Sequence, residues 1–411
     1  MNPLIGVLYH WLGGLASASF YIPYRGVKKW SWETYWLVGG FFSWIIAPIV
    51  LASLLVPDLW HTIFTVDKKV LGLAYLFGMM WGIGGLTFGL TMRYLGIALG
   101  MAVALGFCAA FGTLVPPIFE GTLGKIIHAP SGSGMAVLLG VLACLVGIAV
   151  SGMAGMSKEK ELSTEQKAAA VKEFNFGKGM LLATFSGVMS SCMSFGLTAA
   201  EPIKELAKVS LTNHGGSLLW QGLPALVVVL WGGFTTNFIW CAILNVKNRS
   251  SHEYLCVRTT AIAEVSAAEG MMPSSAAEEG IVRDTAGKAS PALNPNTADS
   301  GHVPILRNYI LSAIAGITWY LQFFFYSMGQ TKMGKQLDFS SWTLHMASII
   351  IFSTLWGIAL KEWSNTSRRT HVLIASGLAF LIGSTVVIGY GNYLDYRYKI
   401  DHSSVGSSQA P

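Results

Sequence analysis

The chain has 411 residues, of which 53% are hydrophobic and only 12% are Asp, Glu, Lys or Arg, and its mean hydropathy is +0.52. A soluble globule carries roughly 25% charged residues, so a set of soluble domains is excluded and the chain reads as an integral membrane protein. Its net charge of +6 lies between apolar runs and serves membrane orientation, so no nucleic-acid partner is expected.

With about 20 apolar residues counted as one crossing, ten runs follow in chain order: 3–23, 34–56, 70–90, 95–118, 135–154, 179–200, 217–244, 309–328, 339–360 and 372–391. The first is expected to be retained. Ala16-Ser17-Ala18 looks like a cleavage site, but no Lys or Arg precedes Arg25, and a signal peptide needs a basic start. The runs are continuous, not alternating, which excludes a β-barrel. The predicted fold is an all-α polytopic membrane protein with ten transmembrane helices. Five belong to a first repeat (1–156), a polar linker follows (157–178), and five belong to a second repeat (179–391) ahead of a polar tail (392–411). An odd number of crossings per half reverses the second half, the inverted-repeat arrangement of many transporters. Trp81 in the third run and Trp319 in the eighth fall at corresponding places. Residues 246–304 are polar, rich in small side chains and without helical or strand period, so a disordered loop is expected there.

If the loops alternate sides, those after helices 1, 3, 5, 7 and 9 hold 18 Lys and Arg against 9 on the other side. The excess of positive charge predicts a cytoplasmic location for the first set and both termini outside. Setting the long seventh loop aside leaves 12 against 9.

No Asp, Glu, Lys or Arg lies within any of the ten runs; the ionisable side chains of near-neutral pKa at depth are His10 and His345. A histidine can carry a proton across a physiological gradient, and intramembrane ionisable groups are functional by default. Asp338 stands seven residues before His345, two turns away on a helix and near the same face. Asp338, His345 and His10 are therefore the candidate proton-coupling residues. The eighth run reads TWYLQFFFYSMGQ and brings Trp319, Tyr320, Gln322 and Tyr326 together, the mix of aromatic faces and polar side chains that a small-molecule pocket uses. Gly96 and Gly100, followed by Gly106 and Gly112, suggest close packing along the fourth helix. The five cysteines form no C-x-x-C, so neither a disulfide framework nor a metal site is expected, and no cofactor. Hydrolase, zincin and nucleotide-binding motifs are all missing, which argues against an enzyme.

The stretches KKWSWET (28–34), FGMMWGIG (77–84), GLTMRYLG (89–96), WYLQFFFY (319–326), SWTLHM (341–346) and LKEW (360–363) resemble the L-rhamnose:proton symporter family, part of the drug/metabolite transporter superfamily of ten-helix inverted repeats. The resemblance runs from about 6 to about 390, apart from the loop at 246–304. It implies proton-driven uptake of L-rhamnose, a 6-deoxyhexose, across a bacterial inner membrane, through a cavity lined by helices 1, 3, 4, 6, 8 and 9. Trp81, Arg93, Trp319, Gln322 and His345 fall on the matching stretches, which implies a place near that cavity for each. Gly85 and Thr87 stand where the family has larger polar side chains, so a related sugar stays open. Two other readings remain at this stage: a metabolite exporter of the same superfamily, and a membrane sensor signalling through the 246–304 loop. The expected partners are a small sugar, protons and the lipid bilayer.

Overall fold

A computed structural model of the chain describes residues 2–161, 175–255, 302–333, 337–364 and 366–406. Apolar runs without access to water must satisfy their backbone groups internally, and among the described residues the runs are helical with no strand. The long helices are α1 (Pro3–Ser19), α2 (Trp32–Leu55), α3 (Lys68–Leu95), α4 (Ile97–Phe119), α5 (Ser133–Glu161), α6 (Phe176–Ala199), α7 (Leu223–Lys247), α8 (Ile305–Lys332), α9 (Ser340–Ala359) and α10 (Arg368–Gly406). Among the described residues, nine of them, α2 to α10, contain segments long and apolar enough to cross a membrane. At 17 residues α1 sits at the lower edge of spanning length and is prolonged by the short turn Tyr21–Tyr24. Exposed Leu54, Leu181 and Val386 point away from the bundle, as lipid-facing side chains do.

Local signals set several helix starts. The Asn2 side chain accepts from Leu4 N at 3.1 Å and Pro3 opens α1; the Asn175 side chain accepts from Lys178 N at 3.0 Å and opens α6. Bonds between connections define two ends of the bundle. At one end, termed A, the Ser31 amide and hydroxyl donate to Glu253, Asn308 Nδ2 donates to Lys28 O, and Ser367 donates to Glu161. At the other, end B, Ser210 donates to Pro57 O, His214 faces Asp58 at 3.7 Å, and Asn392 donates to Ser340. The helix Glu201–Asn213 at end B is amphipathic and buries Ile203, Ala207 and Leu211.

The main neighbours are α3 with α6 and α7, α1 with α8 and α9, α6 with α4, α8 with α2, and α5 with α10. Glycines permit these approaches. A Cβ on Gly78 or Gly232 would strike the facing backbone of α7 or α3, and one on Gly316 would strike Gly39. Gly96, expected to pack a helix face, is instead the break between α3 and α4 at φ +81°, a conformation open to glycine. Gly106 faces open space, whereas Gly112 carries the Trp342 indole.

α2 contains a wide turn at Phe42–Ile46, where Ala47 N–H donates to Phe42 O five residues back. Pro48 follows, and a proline inside a helix clashes with the carbonyl four residues before it. The wide turn relieves that clash, and such turns cluster at functional sites; this one aims Trp44 into the bundle.

Element boundaries differ from the expected ones at several points. Leu218–Trp220 is a separate short turn before α7, and the polar tail is helical as far as Gly406. The expected disordered loop at 246–304 lies mostly outside the described residues. Its first part is ordered: Ser250–Tyr254 forms a turn whose Ser250 hydroxyl donates to Glu33 at 2.7 Å, with Asn248 Nδ2 donating to the same oxygen at 2.9 Å. Most of the linker at 157–178 also lies outside the described residues, with α5 continuing into it as far as Glu161.

Candidate functional site: an aromatic chamber around two histidines

α8 presents Trp319, Phe323 and Tyr326, at helical spacing, to the middle of the bundle. His10 of α1 and His345 of α9 each meet Tyr326 edge-on, with ring centroids 5.3 Å away in both cases. His345 also lies 5.8 Å from Phe323 and 6.0 Å from Trp342. Both imidazoles are fully buried, and all four of their ring nitrogens lack a hydrogen-bond partner. Buried polar groups are nearly always hydrogen-bonded, so four unpartnered nitrogens on two rings that share Tyr326 single this cluster out as the candidate site. Gly329 seats the His10 ring and Gly13 lies against the Gln322 carbonyl and His345 Nδ1.

Towards end A the rings continue. Trp81 and Trp319 touch at 5.8 Å, and Trp44 meets Trp319 at 5.3 Å and Trp81 at 6.5 Å. The two tryptophans expected from their matching sequence places are thus neighbours in direct contact, with no gap for a sugar between them. Gly233 receives the Trp81 ring. Gln322 is buried one turn after Trp319. Tyr320 turns to another side of α8, where its ring pairs with Phe324 at 6.2 Å and its buried hydroxyl has no hydrogen-bond partner. Arg93 falls in the last turn of α3, and its side chain lies outside the described residues.

Asp338 departs from expectation. It precedes α9 in the turn at 337–339 instead of sharing the helix with His345. There it faces Lys204, Glu201 and Glu120 at end B. Burial pushes its carboxyl up to about 6, opposed by the Lys204 cation and reinforced by Glu201 and Glu120. Lys204 is itself buried, paired with Glu201 at 3.0 Å and donating to Gln330 at 3.4 Å. At end A the Glu362 side chain lies 4.0 Å from Arg25, and burial raises its carboxyl to about 7 against the pull of Lys158 and Arg25.

Trp44, Phe323, Trp342 and Lys204 belong to these groupings and were not singled out by the sequence. The Pro48 kink in an aromatic-rich run was the available signal for Trp44. A lysine among apolar residues at i−1, i+3 and i+7 was the signal for Lys204.

The family model described as L-rhamnose-proton symport protein matches residues 2–272 and 298–393. An L-rhamnose-proton symporter of Shigella sonnei is 35% identical over 387 residues, covering 94% of this chain and 97% of its own length. L-rhamnose-proton symporters of Escherichia coli and Salmonella gallinarum are likewise 35% identical over 387 residues.

Proposed function

The chain belongs to the L-rhamnose-proton symport protein family, and we propose that its histidine chamber is where sugar and proton meet. The protein is a multi-pass carrier of the bacterial inner membrane that takes up L-rhamnose with protons, not an enzyme. The observation that carries the chamber assignment is the set of unpartnered ring nitrogens on His10 and His345, enclosed by aromatic rings.

An imidazolium in an apolar chamber needs acceptors for its N–H groups and relief from desolvation. Aromatic faces supply part of that relief through cation–π attraction. Sugar hydroxyls supply the acceptors, so each ligand favours binding of the other. A coupling of this kind is worth roughly 1–3 kcal/mol, or 5–150-fold in affinity. In this reading the sugar lies along the joined Trp81–Trp319 pair and not between the two rings, with Gln322 beside it, Tyr326 sits between the two histidines, and His345 carries the transported proton with His10 as its partner. Tyr320 and Arg93 are assigned to the substrate path on sequence grounds. Asp338 acts as a separate proton acceptor at end B, where it meets Lys204, and not as the direct partner of His345.

We further propose ten crossings arranged as two inverted five-helix repeats. Replacing each helix by the one five places on turns the pair α1–α8 into α6–α3, α1–α9 into α6–α4, and α2–α8 into α7–α3, all of which are observed packing pairs. The charge excess supports a cytoplasmic end A and outside termini. The test is a panel of sugars added to proteoliposomes that enclose a pH-sensitive dye. L-rhamnose should acidify the lumen; acidification by none of the sugars would refute the uptake reading.

A further inference from the structure

Two carboxylates bracket α9, the helix that carries His345. Asp338 precedes it at end B, and Glu362 follows its last residue, Ala359, at end A. The Glu362 side chain is only 7% exposed, and its Oε1 has no hydrogen-bond partner. Room for it comes from Gly357, where an added Cβ would lie 3.3 Å from Glu362 Oε2 and 2.7 Å from Trp363 Nε1. That indole nitrogen is likewise buried without a partner. Two cations face the carboxyl from other elements. Arg25, beyond α1, stands 4.0 Å away, and Lys158 reaches it from the last turns of α5, with Nζ 4.5 Å over the Trp363 ring. Both cations come from the first half of the chain and the carboxyl from the second, so a rocking of one half against the other changes how dry this carboxyl is.

Resting on the uptake reading, we propose that Glu362 is the group from which the transported proton leaves at end A, with Arg25 and Lys158 as the positioning residues that discharge it. The proton starts on the His345 imidazolium. Seventeen residues separate His345 from Glu362, about 25 Å at helical rise. That is too far for direct transfer, so water in the sugar path relays the proton. It converts the Glu362 carboxylate to the carboxylic acid and leaves His345 neutral; the acid then gives the proton to bulk water, which restores the carboxylate. Burial and charge oppose each other in this second step. While end A is closed, burial holds the carboxyl at about 7 against the pull of Lys158 and Arg25, and the proton is kept. Water admitted by an opening end A removes the desolvation but leaves the cations in place. The carboxyl then falls back to the ordinary range or below it, and the proton departs at neutral pH. Release is thereby tied to opening.

The experiment compares net uptake with exchange in right-side-out membrane vesicles from cells producing the full-length chain. Net uptake of labelled L-rhamnose requires the proton to leave in every cycle, whereas exchange at equal sugar on both sides does not. A positioned carboxyl speeds a proton transfer by about 100-fold or more, and other steps share control of the cycle, so Glu362→Gln should lower net uptake about tenfold. Exchange, which skips that step, should keep most of its rate, and Glu362→Asp should restore part of the net uptake. Equal slowing of both processes would reveal a merely structural residue and overturn the proposal. Arg25→Gln removes one of the two cations, so the acid holds its proton to a higher pH. The interior pH that gives half-maximal net uptake should therefore rise by about one unit. An unmoved midpoint would overturn the discharge role, and this measurement stands even if Glu362→Gln fails to fold. A native carrier whose net uptake responds to the outer pH alone would overturn the exit at end A. Native vesicles that neither take up nor exchange L-rhamnose would instead sink the uptake reading.

Discussion

Replacing His345 by Gln keeps a buried hydrogen-bonding side chain but removes the titrating group. The site is enclosed by Phe323, Tyr326 and Trp342 and by Gly13, where an added Cβ would lie 3.6 Å from His345 Nδ1. A near-isosteric change there is expected to cost under about 1.5 kcal/mol of stability, so the variant should fold. Its effect on transport is much larger. One proton moving down a potential of 100 mV supplies about 2.3 kcal/mol, which at about 1.4 kcal/mol per factor of ten supports about 40-fold accumulation of sugar. With coupling removed, accumulation should fall from about 40-fold to about 1-fold, while downhill exchange of labelled sugar continues at a reduced rate. The assay is uptake of labelled L-rhamnose into proteoliposomes under an imposed 100 mV potential, with counterflow measured in parallel. If His345→Gln vesicles still concentrate sugar in a proton-dependent manner, His345 does not carry the proton, and His10 becomes the first candidate, followed by Asp338 at end B.

Gly329→Ala leaves every functional group in place but sets a methyl 2.7 Å from His10 Nε2. The ring must withdraw by several tenths of an ångström, at about 1–3 kcal/mol, so sugar affinity should drop at least fivefold in a binding titration while Gly85→Ala, which meets open space, should not. Trp319→Ala removes ring contacts to Trp44, Trp81 and Phe323, and sugar binding should weaken by about 1 kcal/mol or more; normal binding by the folded variant would place the sugar elsewhere. The carboxyl of Glu362 is raised to about 7 from its ordinary 4.5, so the folded state holds this proton more tightly than the unfolded chain. Its stabilising contribution is therefore full below about pH 4.5 and lost as pH rises through about 7. Glu362→Gln should flatten the fall in thermal midpoint across that window, and an unaltered pH profile would contradict the assignment. Reporter fusions should find the C-terminus outside the cytoplasm, and a cytoplasmic reporter signal would reverse the proposed orientation.

Much of the architecture was legible because lipid permits few solutions. Long apolar runs without charges have to become helices, and nothing in the wider chain is needed to read that from residues 70–90 or 372–391. The absence of carboxylates from the runs likewise left His10 and His345 as the titrating groups at depth. Aromatic-rich strings such as WYLQFFFY were specific enough to indicate the family. What the sequence could not decide was which side chains meet. Asp338 and His345 have a spacing that fits one helix face, yet the turn at 337–339 starts α9 after the aspartate and leaves it with Lys204, more than a hundred residues away in the chain. Trp44 reaches Trp319 because a wide turn before Pro48 changes the direction of its side chain. The four ring nitrogens of the histidines are open because α1, α8 and α9 surround them with carbon. Helix formation depends on local composition and solvent, whereas these encounters depend on how helices distant in sequence rotate and approach at their glycines, and that is set only when the whole bundle packs.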